Sequence, residues 1–338
     1  MPGRDRGPAA ILVHRRHVSK WGYVATLVKP EARPKGSVGL AYAIGRILHR
    51  RFPYILALPI LIYEGIFVIY PMAVGVQYSL SNIQSGSTAS SWVGLANYQR
   101  MFTDSTFWQA VKVTGEYSFA VIVVALSVAL GTALLMNRTF KGRGIFRALL
   151  TTPWAFPDIP TAIIFVWMAS PIYGVLGEMA RWLPWVHNNP RWLLDPHLAL
   201  ATVVLISVWK GFPFYSLVIL AALQGVLHEL YEAAIMDGAN AWARFRYVTL
   251  PSIKPTLMLL ALLAFIFSYQ QYTLIWTTAG QGPLGTTQTL SILIYNEAFQ
   301  FYDFSYAATI GVAGFGLSVA AALIFIFLER RARAAEER

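Results

Sequence analysis

The sequence predicts an all-α, polytopic membrane protein with six transmembrane helices, and three observations predict it. Apolar residues make up 56% of the 338-residue chain and charged residues only 13%, where an ordinary soluble domain carries about a quarter charged. Six segments, near 53–79, 118–136, 148–168, 198–224, 257–279 and 306–328, are long and apolar enough to cross a bilayer, which takes about 20 residues of helix. The basic residues cluster in alternate connections. Cysteine is absent, which excludes disulfides, thiolate catalysis and cysteine-ligated metal sites.

Those basic residues set the orientation. Eleven lysines and arginines precede residue 53, against only Asp5 and Glu31. Arg138, Lys141, Arg143 and Arg147 follow the second span, Arg244, Arg246 and Lys254 the fourth, and Arg330, Arg331, Arg333 and Arg338 the sixth. The opposite connections hold only Arg100, Lys112, Arg181 and Arg191. Six crossings with both termini in the cytoplasm satisfy the positive-inside rule. The net charge of +11 is thus a topology signal, and nucleic acid is excluded as a partner.

Three regions follow along the chain: a basic cytoplasmic segment at 1–52, a membrane domain at 53–328 in contact with lipid, and a cytoplasmic tail at 329–338. The N-terminus lacks the short apolar core and small-residue cleavage pattern of an export signal. Residues 36–52 form either an amphipathic surface helix, through Val38, Leu40, Ile44 and Leu48, or a basic leader without structure. The first span carries Glu64, whose charge calls for pairing, a boundary position or contact with cargo. Glu116 lies just before the second span. "SNIQSGSTASSWVGLANYQRMF" reads as an external loop and a short interfacial helix, and "MNRTFKGRGIFRALL" as a compact basic inner turn.

The third span, "TTPWAFPDIPTAIIFVW", contains three prolines that favour bends, tolerable in a membrane where freed carbonyls face protein or water. The external segment 169–197 carries tryptophans that either anchor at the headgroups or stack on sugar. In the fourth span Trp209, Lys210 and Phe214 lie close together. In the fifth, Tyr269, Gln270, Gln271 and Tyr272 concentrate hydrogen-bonding groups. Such groups serve as glue between helices or line a path for a polyhydroxylated solute. Trp209, Lys210, Phe214, these four residues and Glu64 are the substrate-path candidates.

Between the fourth and fifth spans lies an insert of soluble character, "YEAAIMDGANAWARFRYVTLPS", within a cytoplasmic loop at 226–256. Glu232, Ala233 and Ala234 suit a helix, and Asp237-Gly238 supplies a stop. Asn240 caps a second short helix with Trp242 and Phe245, and Pro251 and Pro255 shape the approach to the next span. Tyr231, Ile235, Trp242 and Phe245 are apolar knobs on a charged elbow. Such an elbow fits a groove in a partner, or lies on the membrane surface.

The stretch "EAAIMDGANAWARFRYVTLP" resembles the signature loop of the permease subunits of binding-protein-dependent ABC importers. The resemblance rests on Glu232, Ala233, Ala234, Asp237, Gly238, Ala239, Trp242, Phe245 and Leu250-Pro251. Its extended form is similar to the carbohydrate-type permeases, particularly the first permease of maltose and glycerol phosphate systems. "WVGLANYQRMF", "TTPWAFPDIP", "VWKGFPFYSLVILAALQGV" and "TTAGQGPLGTTQTLSILIYNEAF" carry it over nearly all of residues 53–328. His228, in place of a common proline, and Gln281, in a usually more permissive glycine-rich turn, depart from the pattern. The resemblance implies a type I importer permease fold in a bacterial or archaeal inner membrane. It also implies a second homologous permease, two cytoplasmic ATPase subunits that bind ATP and magnesium, and an extracytoplasmic solute-binding protein. The cargo it implies is a carbohydrate or polyol. Glu232 would contact an ATPase, Ala233 and Ala234 would permit close packing, and Gly238 would permit the bend. Trp242 and Phe245 would hold the elbow in place.

No Gly-rich loop ending in Gly-Lys-Ser or Gly-Lys-Thr is present, so ATP hydrolysis falls to other chains. The histidines are isolated from acidic residues at metal-ligand spacing. The chain is expected to be no enzyme and to bind no cofactor. A secondary transporter or channel without ATPases would also use intramembrane charges, but it leaves the elbow unexplained. A membrane scaffold that moves nothing is the remaining alternative.

Overall fold

The computed structural model describes residues 52–336 apart from 55, 84–89, 183, 185 and 187. The surface helix or leader expected over 36–52 thus lies outside the described residues, Phe52 excepted. The chain divides into two compact units, Met1–Gly65 and Ile66–Arg338. Within the first, residues 52–54 and 56–64 are helical and mostly exposed, Glu64 among them.

Among the described residues, five helices are long and apolar enough to span a membrane: Phe52–Ser79, Ser105–Asn137, Ala199–Gln224, Ala241–Tyr269 and Phe304–Arg331. A bent pair, Arg143–Ala155 and Asp158–Met168, turned by 96°, is long and apolar enough together to make a sixth span if it counts as one. Each segment expected to span thus overlaps one of these helices or the bent pair, with boundaries shifted at the second, third and fifth. The second helix begins at Ser105, so Glu116 lies inside it, 3.8 Å from Lys112 one turn earlier. The fifth begins at Ala241 and stops at Tyr269.

The second unit contains, in order, α1 (Tyr70–Ser79), β1 (Ser81–Ile83), β2 (Ser90–Trp92), α2 (Ala96–Thr103), α3 (Ser105–Asn137), α4 (Arg143–Ala155) and α5 (Asp158–Met168). It continues with α6 (Val175–Ala180), α7 (Ala199–Gln224), α8 (His228–Met236), α9 (Ala241–Arg244), α10 (Leu250–Tyr269), α11 (Thr273–Thr278), α12 (Leu290–Tyr295) and α13 (Phe304–Glu336). The expected external loop is partly an antiparallel hairpin, with Ser81 opposite Trp92 and Ile83 opposite Ser90.

The core lies along α3 and α7. Ala125, Ala129 and Ala133 repeat every fourth residue on α3 and are fully buried, so two backbones can approach where larger side chains would hold them apart. Hydroxyl pairs join the two helices, Thr132 to Ser216 at 2.6 Å and Tyr117 to Ser207 at 2.7 Å. Ser207 already donates to the Val203 carbonyl at 2.9 Å, so the Tyr117 phenol is the donor in its pair.

At the end of the bundle that carries the hairpin, Asp104 caps α3 by accepting from the Thr106 amide at 2.8 Å and from the Tyr306 phenol at 2.5 Å. Arg100 pairs with Asp303 at 2.6 Å and covers the Tyr306 ring at 3.8 Å. Burial opposes ionisation of Asp104, yet the Tyr306, Thr106 and Phe107 donors outweigh it and hold the carboxyl below its ordinary value. Burial acts likewise against Arg100, and Asp303 more than offsets it, leaving the guanidinium pKa raised. Glu297 goes the other way: burial, with Asp303 and Asp104 nearby, pushes it up despite Arg100.

Candidate functional site

Two places in the second unit gather the residues singled out by sequence. The first is the elbow. α8 buries none of its residues, and it ends in a defined motif. Gly238 has φ +77°, its amide donates to the Ile235 carbonyl at 3.0 Å, and the Ala239 amide donates back to Ala234 at 2.9 Å. This is the Schellman termination, whose left-handed residue is normally glycine because a Cβ is penalised there. The Asp237 amide still reaches Ala233 at 3.0 Å. Asn240 then caps the next helix, its side-chain oxygen accepting from the Ala243 amide at 2.8 Å. One residue, Ala239, therefore separates a helix stop from a helix start.

The second short helix expected after Asn240 is instead the first turn of the fifth span. A π turn at Phe245–Thr249 precedes Pro251, and its wider winding accommodates a residue that can neither donate nor avoid the carbonyl of the preceding turn. Pro255 is carried inside α10. Trp242 is 70% exposed and lies 5.5 Å from the half-buried Phe245. Glu232 is exposed, with His228 3.6 Å away on the preceding turn, so the histidine that departs from the family pattern faces the glutamate.

The second place is a cavity of about 150 Å³ lined by Tyr117, Trp154, Ser207, Lys210, Tyr215, Ser268 and Gln271, among others. Its charged wall follows from the break in the third span. Pro157 disfavours helical backbone at Phe156, which is extended at ψ 139°, and the Phe156 carbonyl leaves the helical ladder. Lys210 donates to that carbonyl at 2.6 Å and pairs with Asp158 at 3.1 Å. Asp158 is the first residue of α5, where a carboxylate also suits the helix dipole. The ammonium is thus satisfied on one side, and Lys210 still lines the cavity. The aromatic wall is Trp154, stacked on Phe214 at 5.6 Å and 26°.

The cavity brings together only some of the path candidates. Lys210 and Gln271 line it, and Phe214 lies behind Trp154. Trp209 packs edge-on against Phe165 at 5.1 Å in a separate, apolar cavity. The Tyr269 phenol donates to the Gly314 carbonyl of α13 at 2.7 Å. Gln270 is exposed, and Tyr272 stacks on Trp276 at 6.0 Å and lies 5.1 Å from Tyr295. Glu64 belongs to the first unit. Trp154, Tyr117, Ser207, Tyr215 and Ser268 were not singled out by sequence. They are ordinary residues of apolar helices there, and only the broken third span hinted that its neighbours converge. Gln281, the other departure, accepts from the Asn296 amide at 3.4 Å.

Residues 122–334 match the family model described as binding-protein-dependent transport system inner membrane component. The chain is 32% identical to the trehalose/maltose transport system permease protein MalF of Thermococcus litoralis, over 82% of this chain and 93% of that one. It is 30% identical to the sulfoquinovosyl glycerol transport system permease protein SmoG of Agrobacterium fabrum, over 83% of this chain and 91% of that one. Among solved structures, a bacterial ABC transporter involved in import of the acidic polysaccharide alginate superposes with a TM-score of 0.75 at 24% identity, over 86% of this chain and 99% of that one. Fold, sequence and motif agree, and the chain belongs to the family of binding-protein-dependent transport system inner membrane components, the permease subunits of ABC importers.

Proposed function

We propose that this chain conducts a carbohydrate or related polyol, as the first permease of a maltose or glycerol phosphate type pair, and couples its passage to ATPases through loop 226–256. The observation that carries the reading is continuity. A single 29-residue helix, Ala241–Tyr269, runs from the capped elbow to Ser268 at the cavity, a reach of roughly 40 Å. A push on α8 by closing ATPases is delivered through Gly238 and Asn240 to the helix whose far end lines the cavity. Glu232 is the polar contact to an ATPase, Ala233 and Ala234 allow close approach, and the exposed Trp242 faces a partner. Asp237, Gly238 and Ala239 make the bend, while Phe245 and Pro251 fix the helix that follows.

The cavity's composition supports the cargo class. Hydroxyls, an amide and an ammonium beside an aromatic face suit a sugar's hydroxyls and its apolar ring face. Its volume of about 150 Å³ is below the usual ligand pocket of about 300–1,000 Å³, so a second, homologous permease completes it. A solute-binding protein delivers cargo on the opposite side of the membrane. The distribution of basic residues supports placing the elbow and both termini in the cytoplasm, with 1–52 and 329–338 flanking the membrane domain.

The test is uptake by the complex reconstituted with its partners, across mono-, di- and oligosaccharides, polyols and glycerol phosphate. ATP-dependent uptake of one of these is expected, and ion-driven uptake by the isolated chain would sink the proposal.

A further inference from the structure

A second polar cavity, of about 440 Å³, opens between the ends of α3 and α7 and the inner side of the elbow. Its lining combines Asn137, Arg138, Tyr231, Arg244 and Thr249 with apolar Leu134, Leu223 and Phe245. No carboxylate lines it, and neither guanidinium has an ion pair among the described residues. Other arginines at this end differ. With the Gln224 amide oriented to suit its neighbours, its oxygen accepts from Arg143 at 3.2 Å and Arg147 at 3.3 Å. Arg244 is half-buried, where an uncompensated charge is costly, and Tyr231 is held by Thr249 at 3.0 Å.

The geometry points to a binding site for the phosphate of an anionic phospholipid headgroup. Two guanidiniums and an amide supply donors in the planar arrangement that suits phosphate oxygens. Leu134, Leu223 and Phe245 would meet the glycerol and the first methylenes. The depth agrees: the apolar outer face of α3 continues to Leu135, which is 54% exposed, and ends at Asn137 and Arg138. Exposed Tyr247 sits on the same turn of helix as the cavity-lining Phe245 and Thr249, as aromatic residues do at headgroup level. Basic pockets between spans on the cytoplasmic side are suited to such lipids. The face that would meet an ATPase is different, for Glu232 and Met236 are exposed while Tyr231 turns inward. Filling the cavity would brace the elbow against α3, so this lipid would set how stiffly ATPase movement is transmitted.

The assembled complex would be placed in phosphatidylcholine nanodiscs with and without phosphatidylglycerol, and lipid retention after extraction read by native mass spectrometry, which needs no cargo. Retention of phosphatidylglycerol by the native complex is expected, weakened about fivefold by each of Arg138→Gln and Arg244→Gln and little changed by Arg246→Gln. Arg138→Lys with Arg244→Lys keeps the charge, and partial retention is expected even if the glutamine variants assemble poorly. Equal retention by native and glutamine forms would overturn the proposal. So would inorganic phosphate in pure phosphatidylcholine that competes with no lipid yet binds in an arginine-dependent way, which would assign the site to free phosphate. Loss of the ATPase subunits from the arginine variants, with lipid retention unchanged, would assign the arginines to a protein contact.

Discussion

Gly238 and Asn240 show how much a single residue can decide. Nothing lies within 4 Å of a Cβ built at Gly238, so Gly238→Ala meets no steric clash and suffers only from its left-handed backbone, about 1–2 kcal/mol. Asn240→Ala removes one cap, about 1 kcal/mol. Each is expected to leave membrane insertion intact, and Glu232→Ala combined with Gly238→Ala to uncouple ATP turnover from uptake in the reconstituted complex. Normal uptake per ATP in that double variant would remove the elbow from the mechanism. At Lys210 the expectation concerns stability. Asp158→Asn leaves the ammonium short of its counter-ion at a cost of about 2 kcal/mol, below the range for a fully buried pair because the Asp158 side chain is 34% exposed. Asp158→Leu with Lys210→Met should recover most of that in thermal unfolding, since an apolar pair needs no compensation.

Ionisable groups gather at the corner of α2, α3 and α13, where Arg100 pairs with Asp303 and Asp104 accepts from Tyr306, and there pH enters. The depressed Asp104 contributes stability that is present above 3.8, its ordinary pKa, and is lost as pH falls through its lower folded value. The raised Glu297 has the opposite sign: its contribution is complete below 4.5 and is lost as pH rises through the folded value above it. Unfolding of the complex followed by a probe at this corner should therefore be most resistant between those limits. Glu297→Gln should flatten the alkaline side alone. Much of the element order was legible because hydropathy and proline act locally: the six spans, the bend of the third and the cap at Asn240 all follow from neighbours in sequence. The hairpin was missed because Ser81–Ile83 and Ser90–Trp92 are short and polar, with no alternation to mark them. The boundary at Ala241 was missed because Pro251 looked like a barrier, and the π turn that absorbs it leaves no residue signature.

Over the whole molecule, the proposed mechanism needs stiffness between elbow and cavity. Leu259, 51% exposed in the middle of the long helix, offers a test. Leu259→Gly should weaken the helix by about 1 kcal/mol with little loss of packing inside this chain, and lower uptake per ATP hydrolysed while assembly persists. Unchanged coupling would mean that motion reaches the cavity by another route. The site itself was only partly legible. Lys210 and Gln271 announced themselves by polarity in an apolar run, whereas Trp154, Tyr117 and Ser207 acquire meaning only when α3, α4 and α7 converge. Tyr269 is also polar, but it ends α10 and its hydroxyl reaches Gly314, whereas Gln271 lies in the break before α11 and faces the cavity. Composition cannot report where a helix stops.

The contact of Lys210 with the Phe156 carbonyl also bears on ancestry. A lineage that gained Pro157 first would have carried an unserved carbonyl at apolar depth, and one that gained Lys210 first would have carried a lone ammonium. The passable order begins with Asp158, which α5 tolerates at its first residue, then Lys210, and only then the proline. Once all three are present, losing Lys210 alone leaves the Phe156 carbonyl unserved and losing Asp158 alone leaves the ammonium without its counter-ion, so the proline makes its two partners hard to lose while remaining replaceable itself.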